Sequence, residues 1–130
     1  MSDEIAADCP CGSGRSLGEC CLPILKGAPA PTALALMRAR YTAYVRGDDA
    51  YLLSSWHPRT RPSRIDFPEG QKWLGLKIKR TERGDTGDSE GVVEFVARFK
   101  IAGKGHRLHE VSRFEKTADG WKYIDGELLD

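Results

Sequence analysis

Cys9-Pro10-Cys11-Gly12-Ser13-Gly14, followed by Cys20-Cys21, contains all four cysteines of this 130-residue chain and decides how its N-terminus folds. Thiolates this close together repel one another unless they oxidise or share a cation, and four sulfur ligands suit tetrahedral zinc. The glycines allow a tight turn whose amide N–H groups can hydrogen-bond to the sulfurs. The stretch therefore predicts a zinc knuckle. Its ligands would be Cys9, Cys11, Cys20 and Cys21.

The cysteines also allow two other interpretations, which the sequence leaves open. The vicinal pair Cys20-Cys21 could form disulfides with the two earlier cysteines, or the four thiols could be free and buried. Residues 1–5, MSDEI, are acidic and have no apolar run, so they do not resemble a secretory signal. We therefore expect a cytoplasmic protein with reduced thiols and favour zinc, with a redox pair as the main alternative.

Charge and hydropathy argue against two classes of partner. The chain has 20 Lys and Arg against 19 Asp and Glu, and its basic residues are scattered along the sequence. A formal net charge of +1 supplies no field that would attract nucleic acid, so nucleic-acid binding is not expected. No apolar run approaches the roughly 20 residues of a membrane span, and no membrane association is expected.

The segment after the knuckle predicts a long helix. Gly27-Ala28-Pro29-Ala30-Pro31 forms a spacer, because its two prolines favour extended backbone. Thr32 is placed to N-cap a helix over residues 32–46, and Gly47 ends that helix. An apolar stripe on the helix should face the core, whereas Leu36 points the other way and could cover the knuckle. The stripe consists of Leu34, Met37, Tyr41, Tyr44 and Val45.

A second, short helix and an irregular connection are predicted next. Asp48 can cap a helix over residues 49–56, and this helix must end where His57 precedes Pro58. Residues 59–70 are interrupted by prolines and predict an irregular connection. Connections of this length often form lids or pocket walls.

Hydrophobic alternation from Trp73 onward predicts an antiparallel sheet. Further strands are predicted over residues 92–102, 106–116 and 121–125, because glycine-containing turns between them favour hairpins. Helices followed by a meander predict an α+β fold, in which a curved antiparallel sheet packs on the N-terminal helices and the zinc knuckle precedes both. The inner faces should consist of Leu74, Leu76 and Ile78 in the first strand and Val93, Phe95, Ala97, Phe99 and Ile101 in the second.

The third strand places polar groups on its inner face. Glu110 and Ser112 alternate in phase with Leu108 and Phe114, so all four should point toward the core. One hypothesis is a polar cavity in which Glu110 is a general base or ligand anchor, assisted by His57 or Tyr44. The candidate ligand-binding residues are Arg40, Tyr44, Trp56, Glu110, Ser112 and Tyr123.

The alternative for Glu110 is a structural bond, and the sequence favours it. A buried carboxylate is costly unless it is paired, and Arg38, Arg40 or Arg98 could supply the partner that braces helix to sheet. His109 lies on the opposite face of the strand and is predicted to be exposed rather than catalytic.

Two resemblances cover nearly the whole chain. The cysteine stretch resembles the SEC-C zinc motif, which also forms a C-terminal tail of the translocation ATPase SecA. The remainder resembles the YchJ family of uncharacterised bacterial proteins. Where SEC-C motifs usually have two basic residues and an aromatic one, this chain has Arg15-Ser16-Leu17. The segments that match the YchJ family are 30–33, 36–44, 51–52 with 56–58, 81–84, 91–98, 108–114 and 121–126.

The resemblances imply a fold and two functions from different classes. They imply a knuckle over residues 1–27 and, over residues 32–130, the cone-shaped fold of nuclear transport factor two and SnoaL-type cyclases, which commonly has a pocket between helix and sheet. By analogy with SEC-C tails, we expect a zinc-binding module that captures a protein partner. The alternative is small-ligand binding or cofactor-free acid/base catalysis around Glu110.

Overall fold

The computed structural model describes residues 3–129 and has the predicted α+β architecture. Four strands form one curved antiparallel sheet in the order β1-β2-β3-β4, and the helices precede it in the chain. The helices are α1 (Asp3–Ala6), a 3-10 turn (Leu17–Glu19), α2 (Cys21–Leu25), α3 (Ala33–Arg46) and α4 (Asp49–Ser54). The strands are β1 (Gln71–Arg83), β2 (Glu90–Ile101), β3 (Lys104–Thr117) and β4 (Gly120–Leu129).

Helix α3 begins and ends where its capping residues predict. The Thr32 side chain accepts a hydrogen bond of 3.0 Å from the amide of Ala35, which satisfies one of the free donors of the first turn. Gly47 adopts the left-handed conformation with φ 69°, and glycine does so without a steric cost.

Helix α4 is shorter than predicted because β4 captures the chain that follows it. Asp48 caps the helix as expected, through its bond with the amide of Tyr51. The helix then ends at Ser54, since the Ser55 carbonyl accepts from the Tyr123 amide at 2.9 Å and the His57 amide donates to the Tyr123 carbonyl at 2.7 Å. A long-range pairing therefore overrides the local tendency to continue the helix.

Helix α3 is buried on two sides. Met37 and Tyr41 of the predicted stripe are buried, Leu36 is buried on the other side as expected, and Ala39 and Ala43 are buried as well. The second side packs against the knuckle, whose cysteines belong to the same hydrophobic cluster. The prediction for Val45 is wrong: it is 38% exposed, because at the last turn it borders a surface groove beside the knuckle.

The first strand departs from its predicted alternation at Leu74. A register shift between Trp73 and Gly75 inserts an extra residue into β1, so Leu74 turns outward and is 50% exposed. Trp73, Leu76 and Ile78 pack against the core instead. In β2 the prediction is correct, and its inner face includes the buried residues Val93, Phe95 and Ala97.

No helix within residues 3–129 is long and apolar enough to cross a membrane.

The N-terminus of α3 fits closely against the β1–β2 hairpin. The Ala33 amide donates to the Gly84 carbonyl at 3.0 Å, and the Gly84 amide donates to the Glu90 carbonyl at 2.9 Å. A Cβ on Gly91 would lie 2.6 Å from the Gly84 Cα and 2.9 Å from the Ala33 Cβ. Neither atom belongs to a flexible side chain, so the space can hold only hydrogen.

We therefore expect Gly91→Ala to lower the free energy of unfolding by about 1–3 kcal/mol, the usual cost of overpacking. Gly105→Ala is the matched control, because its Cβ would meet no atom within 4 Å and its φ is not positive. Urea denaturation of both variants measures the difference. Equal stability of the two variants would contradict the close packing of helix and hairpin.

Candidate metal centre and inner cavity

The four cysteines converge on one point. Their sulfur atoms all lie within 4.8 Å of one another, and a metal ion could bind between them. The Cys11 and Cys20 sulfurs are 3.6 Å apart and those of Cys20 and Cys21 are 3.9 Å apart. A disulfide bond would need about 2.05 Å, and all four thiols are free.

Tight backbone turns bring the first two cysteines together. Gly12 and Gly14 have φ of 81° and 87°, a conformation that other residues rarely adopt. The turn is closed by a hydrogen bond of 2.8 Å from the Cys9 amide to the Arg15 carbonyl. The Ser13 hydroxyl lies 3.1 Å from the Cys20 sulfur and can donate to it. The glycines therefore form the tight turn that the knuckle interpretation predicts, whereas the printed sulfur contacts come from side chains.

Helix α3 forms the inner wall of the knuckle. The Arg38 guanidinium donates to the Cys11 carbonyl at 2.7 Å, and the Thr42 hydroxyl lies 3.7 Å from the Cys9 sulfur. Cys9, Cys11 and Cys21 are at most 3% exposed. Three of the four sulfurs are therefore shielded from water by the main domain.

The thiols of Cys11 and Cys21 have pKa values that are shifted in opposite directions. The pKa of the Cys11 thiol is lowered to about 4, chiefly because the Cys21 side chain hydrogen-bonds to its thiolate. The pKa of Cys21 is raised above its ordinary value by that same hydrogen bond and by burial. The two directions are opposite because the same hydrogen bond favours the thiolate of Cys11 and the thiol of Cys21.

A separate cavity of about 180 Å³ lies between α3 and the inner face of the sheet. The predicted phase of β3 is confirmed, since Glu110 and Ser112 line this cavity opposite Phe95 and Val93 of β2. Most of the remaining wall is aromatic or aliphatic. Of the candidate ligand-binding residues, the cavity brings together Arg40, Tyr44, Glu110, Ser112 and Tyr123.

Arg40 is a buried cation without an ion-pair partner in the described part of the chain. It is 4% exposed, and its Nη1 donates to the Leu52 carbonyl at 2.8 Å and to the Ser55 hydroxyl at 2.6 Å. Its guanidinium carbon lies 5.0 Å from the Trp56 ring centroid and 4.5 Å from that of Tyr123. Burial lowers the pKa of Arg40.

Glu110 is held by hydroxyl groups instead of by an arginine. Its Oε2 accepts a hydrogen bond of 2.6 Å from the Ser112 hydroxyl and one of 3.0 Å from the Tyr123 hydroxyl. Burial, followed by the nearby Glu110 carboxylate, raises the pKa of Tyr123. The Glu110–arginine bond that the sequence favours is absent from residues 3–129: Arg40 has other partners, and Arg38 donates to the knuckle. The two hydroxyls fix the carboxylate in the cavity wall.

Gly126 makes room for the Glu110 side chain. It pairs with Ser112 across β3 and β4, and a Cβ built there would overlap the Glu110 carboxylate. Because the φ of Gly126 is not positive, the glycine is needed for space and not for backbone conformation. Sequence reasoning missed this role, although Gly126 ends a segment that matches the YchJ family.

Three predicted residues lie elsewhere. Trp56 does not line the cavity: it packs edge-on against Tyr123 and lies 5.0 Å from the Arg40 guanidinium carbon. His57 points to Glu115, with 2.7 Å between Nε2 and Oε1, and is not brought to Glu110. His109 lies on the outer face as expected but is not exposed: its side chain is 15% exposed and its Nε2 is 2.6 Å from Glu94 Oε2.

Comparison with known proteins assigns both parts of the chain. Residues 32–126 match the model described as "YchJ, middle NTF2-like domain", and residues 7–23 match the SEC-C motif. A UPF0225 protein of Chromobacterium violaceum is 51% identical over 128 residues, which cover 95% of this chain and 94% of that protein. The chain belongs to the YchJ-like UPF0225 family.

Two solved structures share the architecture of this UPF0225 chain. The solution structure of a SEC-C motif containing protein from Rhodopseudomonas palustris has a TM-score of 0.82 at 34% identity, covering 94% of this chain and 98% of that one. The crystal structure of a SEC-C motif containing protein from Psychrobacter arcticus has a TM-score of 0.76 at 24% identity, covering 97% and 85%. The second likeness supports the fold alone.

The fit between Gly126 and Glu110 in this UPF0225 chain can be tested by a double-mutant cycle. We expect Gly126→Ala to lower the free energy of unfolding by about 1–3 kcal/mol, because the new methyl displaces the carboxylate from its two hydroxyl donors. In a Glu110→Ala background the clashing atoms are gone, so the same change should cost much less. Thermal or urea unfolding of the four proteins measures the coupling. Equal costs in both backgrounds would show that Gly126 does not accommodate Glu110.

Proposed function

We propose that this UPF0225 chain is a zinc-binding protein whose SEC-C knuckle docks a protein partner. The observation that carries the proposal is the convergence of four sulfur atoms within 4.8 Å. Four sulfurs around tetrahedral zinc, at Zn–S of about 2.3 Å, would be about 3.8 Å from one another. The separations of 3.6 and 3.9 Å in the knuckle support this geometry.

The zinc we propose is structural. Four protein ligands leave no open coordination position for water or substrate, which is the feature that separates structural from catalytic zinc sites. Its role would be to neutralise thiolates buried against α3 and to hold the turn and α2 in one arrangement. Arg38 and Thr42 then connect this arrangement to the main domain.

The surface we propose for the partner is the groove between the knuckle and the start of α3. Its floor is apolar and includes Ile24 and Ala35, and its rim carries Arg15 and Arg38 beside the partly exposed Cys20. Glu19 also lines the groove, so its two arginines leave an excess of one positive charge. An apolar floor with this excess suits a protein segment that combines an apolar side chain with an acidic one. Because Cys20 and Cys21 border the groove, its shape would depend on the bound metal.

Metal analysis tests the zinc site. Protein purified without added metal or chelator should contain about one zinc per chain, and acid should release it because the ligands must be deprotonated. Cys11→Ser should lose the metal, whereas Ser13→Ala is the control that keeps all four sulfurs and should retain it. Absence of zinc from the unaltered protein, or full zinc content in Cys11→Ser, would contradict the proposal.

Site-specific photo-crosslinking in cells tests the partner. A photoreactive amino acid at the exposed groove position Glu19 should give a discrete adduct, and the same probe at the exposed Lys104, the first residue of β3, should not. Arg15→Glu should reduce the adduct without changing zinc content, because it reverses a charge on the groove rim. Adducts that are the same at both positions, or that persist in Cys11→Ser, would argue against docking at the knuckle.

A further inference from the structure

The inner cavity combines opposite charges with an apolar wall. Arg40 supplies a cation and Glu110 a carboxylate, and both line the same space. No ion pair joins them within residues 3–129, although each is a strong partner for the other. We infer that the cavity binds a small zwitterion with an apolar body, of the class of the apolar α-amino acids.

The size and walls of the cavity select a compact, apolar ligand body. A volume of about 180 Å³ exceeds the roughly 150 Å³ of an engineered cavity that holds benzene. Met37 of α3, Phe95 of β2 and Leu108 of β3 contribute apolar surface from three sides. A branched aliphatic side chain would remove this surface from water on binding.

The Arg40 end suits a carboxylate. Nη1 is already occupied by the Leu52 carbonyl and the Ser55 hydroxyl, which fix the guanidinium without neutralising it. The Trp56 and Tyr123 ring centroids lie 5.0 and 4.5 Å from the guanidinium carbon, and no described carboxylate lies within ion-pair distance of it, since Glu110 acts on it only at longer range. The planar guanidinium can donate hydrogen bonds from its remaining N–H groups to a carboxylate.

The Glu110 end suits an ammonium group. Both hydrogen bonds from Ser112 and Tyr123 fall on Oε2, so Oε1 keeps its acceptor capacity. Gly126 allows the side chain to lie against β4, which holds the carboxylate at a fixed position in the wall. A preorganised acceptor of this kind binds a donor with little loss of side-chain entropy.

The pair of charges discriminates against ligands with a single charge. A ligand with only a carboxylate would be attracted by Arg40 but repelled by Glu110. A ligand with only an ammonium group would be attracted by Glu110 but repelled by Arg40. A zwitterion satisfies both ends and leaves the cavity electrically neutral. Selectivity should therefore depend on the two groups being present in one molecule.

Three molecules with related carbon skeletons test this inference on the full, metal-loaded chain. L-valine carries both charged groups, 3-methylbutanoate lacks the amine, and 2-methylpropylamine lacks the carboxylate. Isothermal titration calorimetry should show valine binding at least about tenfold more tightly than either analogue, since each analogue loses one charge-assisted hydrogen bond. Alanine and leucine extend the series to smaller and larger bodies.

Matched variants assign the effect to the cavity. Glu110→Gln keeps the shape of the side chain and should lower valine affinity about tenfold, while binding of 3-methylbutanoate stays equal or improves. Glu115→Gln is the control, because Glu115 is on the same strand but faces His57 outside the cavity. Zinc content and thermal unfolding confirm that both variants are folded.

Three results would contradict the inference. Equal affinity for valine and either analogue would make the cavity an anion or a cation site and overturn the inference. So would an equal loss of affinity in Glu110→Gln and Glu115→Gln. Absence of binding by alanine, valine and leucine at millimolar concentration would show that the charges are structural. None of these results bears on the knuckle, whose zinc content and adducts are measured separately.

Discussion

Burial of α3 on two opposite sides is the constraint on which the rest of the structure depends. One side packs on the sheet through Met37 and Tyr41, and the other packs on the knuckle through Leu36 and Ala39. A helix with apolar residues all round is stable only when both sides are covered. The knuckle is therefore part of the core of this chain, although in sequence it precedes the main domain and is separated from it by a spacer.

The same helix joins the two candidate sites. From α3, Arg38 reaches the Cys11 carbonyl of the knuckle, whereas Arg40, two residues later, lies at the edge of the inner cavity. Arg38 and Arg40 therefore make their contacts on opposite sides of the same helix. Any change in the position of α3 relative to the sheet would alter the cavity, so the proposed metal binding at the knuckle and the proposed ligand binding in the cavity would share a physical connection.

Local signals predicted much of this fold. Thr32 and Gly47 set the ends of α3 through their own chemistry, the alternation in β2 indicated its inner face, and the cysteine spacing indicated the cluster.

Long-range contacts account for what sequence reasoning missed. The bulge at Leu74 turns that side chain outward, pairing with β4 draws Trp56 and His57 away from Glu110, and the space at Gly126 exists only when β3 and β4 pair. Periodicity within one segment contains none of this information.

Amide hydrogen exchange, compared between the metal-loaded and chelated protein, tests the central claim that the knuckle completes the core around α3. Removing the metal should abolish slow exchange in the knuckle and also in α3, including Ala39 and Thr42, because one side of the helix loses its cover. Unchanged protection of α3 together with loss of protection confined to residues 9–21 would contradict the account. It would show that the knuckle is an independent appendage.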